Sequence, residues 1–229
     1  MLHAPSGAEI HFSAYIPESH DGTRPFGLFV TLPGYEGLYF QGAGENLRWE
    51  KFGQEAIAYD REMIVLAPQL DDWGQTSAER TIELVKHFAV NYNVDSSRVF
   101  IEGYSGGGET LSLVMGKRPE LFAGALAVSS QWDGSLDVLA DARTPLRLFT
   151  GREDSYYGSD SFVETAEELR EIYRRGGMSE HDIDSLVVLD IKEADYFAER
   201  GYADQHGGGI AAATDSEALP WLFSQRREK

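Results

Sequence analysis

Residues 99–108 read Val99-Phe100-Ile101-Glu102-Gly103-Tyr104-Ser105-Gly106-Gly107-Gly108 and contain the pattern G-x-S-x-G around Ser105. The residues from Arg98 to Ile101 predict a buried strand, and Glu109–Met115 predicts a helix. In this strand–turn–helix setting the pattern forms a nucleophile elbow, which holds the serine in a strained conformation with its hydroxyl exposed. Gly103 and Gly107 lack a Cβ, so the strand and the helix can approach closely. The alternative is an ordinary glycine-rich turn.

Strand patterns alternate with helix patterns along the rest of the chain. Further buried strands are predicted at Gly27–Leu32, Met63–Ala67, Phe122–Val128, Leu146–Thr150 and Leu186–Ile191. Helices are predicted at Leu47–Tyr59, Ser77–Val90 (with Ser77 as N-cap), Leu136–Ala140, Ser161–Arg174 and Ser216–Gln225. This alternation predicts an α/β fold, in which helices cover both faces of a mainly parallel sheet. We expect a single domain over residues 1–229 without a substantial lid.

The first predicted strand, His11–Ile16, is close in sequence to Gly27–Leu32. A connection this short does not favour a crossover, so the two strands are expected to form an antiparallel N-terminal hairpin at one edge of the sheet.

The composition excludes several classes of function. The chain has 38 acidic and 20 basic residues, a formal net charge of −18, which argues against nucleic acid and anionic membranes as partners. It contains no cysteine, which excludes disulfides, thiolate catalysis and cysteine zinc sites. No metal or other cofactor is expected. The first seven residues lack the features of a signal peptide, and no apolar stretch is long enough to span a bilayer, so we expect a cytoplasmic protein.

A nucleophilic serine needs a histidine base, and six histidines are available. After a nucleophile elbow the acid and then the histidine follow in the chain, which excludes the four histidines that precede Ser105. His181 lies between a helix and the next strand, and such loops open at the opposite edge of the sheet. His206 follows the last strand and is therefore the predicted base.

The acid that orients the base should follow the strand Leu146–Thr150. The residues there are Gly151-Arg152-Glu153-Asp154-Ser155, and Asp154 is preferred because it lies where the loop crosses the active edge. Glu153 and Asp160 are alternatives, and Asp133 after the preceding strand is a further one. Each of these carboxylates could also be a solvated loop residue in so acidic a chain.

Two backbone N–H groups are predicted to form an oxyanion hole. One belongs to Gly106, directly after the serine. The other should come from the loop after Gly27–Leu32, where Pro33-Gly34-Tyr35-Glu36-Gly37 places the N–H of Tyr35. An ordinary Pro-Gly turn is the alternative for this loop.

With these residues in this order, the chain resembles the α/β-hydrolase superfamily over nearly its whole length. It is similar to compact, lidless esterases of the feruloyl esterase and polyhydroxybutyrate depolymerase group, and to the catalytic domain of prolyl oligopeptidase relatives. The segments that carry the resemblance are Leu32–Tyr35, Gly103–Gly107, Arg118–Gly124, Gly151–Asp154 and His206-Gly207. Such families often have His-Gly where this chain has Pro33-Gly34, a change that leaves the Tyr35 N–H in place.

Aromatic residues collect just after strand ends on the predicted active edge. They are Tyr35, Tyr39, Phe40, Trp73, Tyr104, Trp132, Tyr156 and Tyr157. Aromatic walls suit an aryl, sugar or acyl group, so all of these except Tyr35 and Tyr157 are named as candidate substrate-binding residues. Packing of the loops among themselves is the alternative.

These observations predict a serine hydrolase that cleaves small-molecule carboxylic esters with Ser105, His206 and Asp154. A serine peptidase or amidase that uses the same three residues is the second hypothesis. The third is a binding protein that has kept this fold without its chemistry.

Overall fold

A computed structural model describes residues 1–227 of the chain. Its centre is a seven-stranded sheet, and a separate two-stranded antiparallel hairpin lies at the N-terminus. The hairpin consists of β1 (Leu2–His3) and β2 (Glu9–Ile10). The strands of the large sheet are β3 (Phe12–Tyr15), β4 (Phe26–Leu32), β5 (Met63–Pro68), β6 (Val94–Tyr104), β7 (Gly124–Val128), β8 (Leu146–Gly151) and β9 (Val187–Lys192).

The strands of the large sheet lie in the order β3-β5-β4-β6-β7-β8-β9. All neighbouring pairs are parallel except β3 with β5. The predicted α/β-hydrolase fold, with a mostly parallel sheet and an antiparallel N-terminal hairpin, is confirmed, although β1 and β2 form the hairpin and not the two strands expected to do so.

The helices lie between the strands along the chain. They are α1 (Asn46–Trp49), α2 (Phe52–Tyr59), α3 (Gln75–Asn91), α4 (Gly106–Met115), α5 (Leu136–Ala142), α6 (Asp160–Arg175), α7 (Glu180–Leu186), α8 (Ala194–Ala198) and α9 (Ala218–Ser224). Short 3₁₀ helices occupy Tyr35–Gly37, Pro119–Leu121 and Gly207–Thr214. Within residues 1–227, none of these helices combines the length and the apolarity that crossing a bilayer requires.

Two apolar layers cover the two faces of the sheet, because successive strand residues point to opposite sides. In β4, Leu28 and Val30 pack into the layer built by α3, α4 and α6. Phe29, between them, packs into the layer built by α2 and α9. This double coverage explains why the central strands are apolar along almost their whole length.

Three local predictions need correction. The strand predicted at His11–Ile16 pairs with β5 and not with Gly27–Leu32, because both sides of β4 are occupied by the parallel strands β5 and β6. The single helix predicted at Leu47–Tyr59 is two helices, separated where Lys51 adopts a left-handed φ of 65°.

The third correction concerns the start of α3, which begins at Gln75 with Gly74 as its N-cap. Ser77 is therefore inside the first turn and is not the cap. Its hydroxyl accepts the N–H groups of Asp71 and Asp72, while the Asp72 carboxylate accepts those of Gly74 and Ser77.

One ionisable group interrupts the apolar strands at the centre of the sheet. Glu102 on β6 is fully buried, and its Oε2 accepts a hydrogen bond of 2.8 Å from the Thr31 hydroxyl on β4. Burial, reinforced by the nearby charge of Glu50, raises the pKa of Glu102 well above its ordinary value of 4.5. The folded protein therefore holds a proton that the unfolded chain releases above that pH, so this group destabilises the fold as the pH rises.

Replacing Glu102 with glutamine is expected to raise the melting temperature near neutral pH. We expect a rise of a few degrees, since about 1 kcal/mol corresponds to roughly 2–4 °C in a domain of this size. Thermal unfolding as a function of pH should show the difference from wild type shrinking as the pH falls toward 4.5. Glu167→Gln on the exposed face of α6 is the matched control. A gain that does not depend on pH would contradict the assignment of this effect to the Glu102 proton.

Candidate active site

Ser105 lies between the last residue of β6 and the first residue of α4. Its φ of 55° and ψ of −127° fall in a region that residues with a side chain rarely adopt. A Cβ at Gly103 would lie 2.5 Å from the carbonyl oxygen of Gly107, and a Cβ at Gly107 would lie 2.2 Å from that of Leu32. The strand, the turn and the helix thus meet as closely as the glycine pattern predicts.

The backbone strain at Ser105 leads to a stability prediction. Ser105→Gly is expected to be more stable than Ser105→Ala by about 1 kcal/mol, because glycine adopts this conformation without steric conflict. Denaturant unfolding of the two variants measures the difference. The same pair of changes at the exposed Ser185 of α7 should give the opposite order, because glycine weakens a helix. Equal stabilities at position 105 would show that the turn stores no strain.

The structure brings together the three side chains expected to form the triad. The Oγ of Ser105 lies 3.1 Å from the Nε2 of His206. The Nδ1 of His206 lies 3.0 Å and 3.1 Å from the two carboxylate oxygens of Asp154. When the Nδ1–H donates to Asp154, Nε2 is left free to accept the proton of the serine hydroxyl.

Asp154 follows β8, and its carboxylate is fully buried. Besides His206, its Oδ1 accepts the backbone N–H groups of Tyr156 and Tyr157, each at 2.9 Å. Burial raises the pKa of Asp154, but the hydrogen bonds from His206, Tyr157 and Tyr156 outweigh it and lower the pKa below 3.8. Asp154 is therefore ionised at neutral pH.

The alternative acids are placed differently. The backbone N–H of Glu153 donates to the side chain of Gln205, and that of Asp133 lies 3.0 Å from the Ser112 hydroxyl. Asp160 is the first residue of α6. Within residues 1–227, Asp154 is the carboxylate hydrogen-bonded to the ring of His206.

The two N–H groups expected to bind an oxyanion belong to residues that begin helices. Tyr35 is the first residue of the 3₁₀ helix Tyr35–Gly37, and Gly106 is the first residue of α4. The first N–H groups of a helix have no acceptor within it. The carbonyl groups of Leu32 and Pro33 lie against Gly107, so the loop that carries Tyr35 is packed directly on the start of α4.

Comparison with solved structures gives the same fold. A thermostable esterase superposes with a TM-score of 0.80 at 23% identity, over 99% of this chain and 62% of the esterase. Oligopeptidase B from Leishmania major gives 0.65 at 14% identity, over 96% of this chain and 35% of the peptidase. A provisionally named dienelactone hydrolase from Klebsiella pneumoniae subsp. pneumoniae gives 0.60 at 16% identity, over 97% and 95% of the two chains. The chain thus spans less than two thirds of the first two proteins.

Sequence comparison points the same way over part of the chain. The profile of the prolyl oligopeptidase family (Peptidase_S9) matches residues 70–169, which include the nucleophile elbow and Asp154. The chain has the α/β-hydrolase fold. None of the curated proteins is similar enough in sequence to match this chain. Its site has the composition and geometry of a serine hydrolase.

Three tyrosine rings surround the histidine of this site. The ring of Tyr104 stacks on that of His206 with 5.7 Å between centroids, and its hydroxyl donates to the His206 carbonyl at 3.0 Å. The rings of Tyr156 and Tyr157 lie 5.4 Å and 5.6 Å from that of His206. These contacts restrict the imidazole to the plane in which it reaches both Ser105 and Asp154.

The aromatic residues predicted to bind substrate divide into two groups. In the first, Tyr39 and Phe40 are exposed on the loop after β4, where Phe40 contacts the equally exposed Tyr35, and Tyr156 is 75% exposed beside His206. Trp73 belongs to this group by position, because a Cβ at Gly106 would lie 2.3 Å from its indole ring.

Tyr104 and Trp132 form the second group, which the structure turns inward. Tyr104 is buried against His206. The indole N–H of Trp132 donates to the carbonyl of Gly134 at 3.1 Å, and its ring packs on the apolar layer beneath. The contacts of these two side chains support the loops and the histidine.

Three polar side chains that the sequence analysis did not select contribute to the site. Gln205 accepts the N–H of Glu153 at 2.8 Å and so joins the acid loop to the histidine loop. Glu109, one turn after the nucleophile on α4, accepts the Tyr157 hydroxyl at 2.5 Å. Burial and this carboxylate raise the pKa of Tyr157, which stays neutral. The third residue, Glu50, accepts the N–H of Gly34.

These three residues carry no local sequence signal, because their partners lie 16 to 52 positions away in the chain. For metals, residues 1–227 contain no group of three or more His, Cys, Asp or Glu side chains arranged to hold an ion.

Proposed function

We propose that this serine hydrolase cleaves carboxylic esters through an acyl-enzyme on Ser105. The observation that carries the proposal is the continuous hydrogen-bonded chain from the buried Asp154 through His206 to the hydroxyl of Ser105. Such a chain activates a hydroxyl that is otherwise a weak nucleophile at neutral pH.

Each member of the chain has one role in the reaction. His206 accepts the proton of Ser105 through Nε2 as the serine oxygen attacks the ester carbonyl, and then donates it to the departing alcohol. Asp154 accepts the Nδ1–H, which fixes the tautomer and stabilises the imidazolium that forms in between. Water activated by the same histidine then cleaves the acyl-enzyme and releases the acid.

The negative charge of the tetrahedral intermediate is assigned to the N–H groups of Tyr35 and Gly106. Preorganised donors of this kind lower the barrier because they need no reorientation during the reaction, and each contributes about 3 kcal/mol. The packing of the Leu32 and Pro33 carbonyls on Gly107 supports this assignment, since it fixes one donor relative to the other.

The exposed aromatic side chains support an aryl or acyl group as part of the substrate. Tyr39, Phe40 and Tyr156 offer apolar area at the rim of the site, and Trp73 covers the residue after the nucleophile. The similarity to a thermostable esterase over 99% of the chain favours an ester substrate.

A peptidase is the second candidate, favoured by the match of residues 70–169 to the prolyl oligopeptidase family. The two activities use the same triad and differ in the leaving group. They are separated by a matched pair of substrates with the same acyl group, one an ester and the other an amide.

The first experiment combines covalent labelling with this matched pair. A fluorophosphonate should add once to the protein, and peptide mapping should place the adduct on Ser105 and show its loss in His206→Ala. Hydrolysis of the ester in clear preference to the amide would support the esterase. Preference for the amide would support the peptidase, and folded protein without an adduct would support a binding protein.

A further inference from the structure

The loop that carries Tyr35 is held in place by a buried glutamate, Glu50. The N–H of Gly34 donates to the Oε1 of Glu50 at 2.6 Å, and both residues are buried. Glu50 is the C-cap residue directly after α1, so this contact joins the end of a short helix to the segment 33–37, which we call the oxyanion loop. On its other side, the same loop packs on Gly107 at the start of α4.

Burying a glutamate at this position costs free energy that is not recovered if the side chain only fills space. Burial raises the pKa of Glu50 well above its ordinary range, and its charged form is disfavoured in this interior. Within residues 1–227, its second carboxyl oxygen, Oε2, has no hydrogen-bond partner. The hydrogen bond to Gly34 is therefore the interaction that the side chain provides.

Two neighbouring polar side chains share this environment. Asn46 lies one turn earlier on α1, and Glu102 lies close enough for the charge of Glu50 to raise its pKa. The amide of Asn46 and the Oε1 of Glu102 are likewise buried without a partner among the described residues. Two like charges at this spacing repel each other, which favours the neutral carboxyl. Glu36, on the loop itself, acts on Glu50 in the same sense.

A neutral hydrogen-bond acceptor is better suited than a charged one to a position next to an oxyanion hole. A carboxylate ion there would repel the negative charge that develops on the substrate oxygen. A neutral carboxyl can still accept the N–H of Gly34 through its carbonyl oxygen, without that repulsion.

We propose that Glu50 is a positioning residue that fixes the Pro33–Gly34 peptide, which directly precedes the peptide that carries the N–H of Tyr35, and so aims this N–H at the substrate oxyanion. This inference rests on the proposed function, in which Tyr35 is an oxyanion donor. Glu50 itself touches no reacting atom and acts only through the oxyanion loop.

The test compares Glu50→Ala, Glu50→Gln and wild type, with Glu45→Ala as the matched control. Glu45 precedes α1 and forms a surface ion pair with Arg48, so its loss removes a carboxylate from the same helix without touching the loop. Hydrolysis of nitrophenyl acetate gives kcat and KM. Inhibition by trifluoroacetophenone, which adds to the serine as an oxyanion, reports on the hole directly.

Glu50→Ala should lower kcat by at least about tenfold and by no more than the roughly 10²–10³-fold that removal of a whole oxyanion donor costs. Its KM should stay close to that of wild type, and the inhibition constant of the ketone should rise in parallel with the loss of kcat. Glu50→Gln keeps an acceptor for Gly34 and should retain the wild-type kcat, as should Glu45→Ala. If the alanine variant does not fold, Glu50→Met fills the same space without an acceptor and replaces it.

Two results would overturn the inference while leaving the esterase intact. One is an alanine variant as active as wild type, and the other is an equal loss of kcat in the alanine and glutamine variants. Hydrogen exchange at the amide of Gly34 gives a readout that does not depend on turnover, with protection expected in wild type and Glu50→Gln and lost in Glu50→Ala. If wild type neither hydrolyses esters nor reacts with a fluorophosphonate, the proposed function fails, and unchanged protection in Glu50→Ala would still reject the contact.

Discussion

Ser105→Ala is expected to lower kcat for a susceptible ester by about 10⁶-fold, the loss found when the nucleophile of a serine triad is removed. The hydroxyl is the only group removed, and its oxygen lies 3.1 Å from the Nε2 of His206. The backbone turn and the glycine contacts around it do not depend on the hydroxyl, so the variant should fold like wild type. Steady-state hydrolysis and circular dichroism measure the two expectations.

Ser185→Ala, on the exposed side of α7, is the control for this change. It should have wild-type activity and should still be labelled by a fluorophosphonate at Ser105. Residual activity of Ser105→Ala above about one part in 10³ would indicate another nucleophile, because the oxyanion hole and binding alone account for far less.

Asp154→Asn is expected to lower kcat by about 10⁴-fold. The amide oxygen of the substituted side chain could still accept the N–H groups of Tyr156 and Tyr157, which keeps the loop in place. Its NH₂ group would then face the Nδ1 of His206 and favour the tautomer with the proton on Nε2. That tautomer cannot accept a proton from Ser105, so the loss should appear in kcat, and circular dichroism should show the fold intact.

Glu153→Gln tests whether the neighbouring acid could serve instead. Glu153 is exposed, and its contact with the histidine loop is made by its backbone N–H. The activity of this variant should therefore equal that of wild type. A large loss in Glu153→Gln together with an active Asp154→Asn would assign the role of the acid to Glu153.

Chain order and the edge at which each loop opens predicted His206 as the base, and they favoured Asp154 among four candidate acids without excluding the other three. The elbow around Ser105 predicts a strand before it and a helix after it, and parallel strands place their following loops on the same edge. That geometry favoured His206 and Asp154, and the structure places both within hydrogen-bond distance of each other. The glycine pattern likewise predicted the close approach of Gly103 to Gly107.

What the sequence did not reveal depends on contacts between distant segments. The edge strand β3 pairs with β5, and its own residues do not specify that partner. The two helices are separated at Lys51 because its backbone is left-handed, a conformation that lysine seldom adopts. The apolar spacing of the sequence continues across this residue and therefore predicts one helix. The contact of Glu50 with Gly34 joins a helix end to a loop, and the amphipathic pattern of neither segment encodes it.

The hydrogen bond between the N–H of Glu153 and the side chain of Gln205 matters to anyone who redesigns this cleft. This hydrogen bond joins the loop that carries Asp154 to the loop that carries His206. An insertion or a random library in either loop therefore disturbs the positions of both residues at once. The segment 38–45, which carries the exposed Tyr39 and Phe40, contributes no atom to that hydrogen bond. Loop grafts and directed evolution for new acyl groups should therefore begin there, where sequence can change while the proton path keeps its alignment.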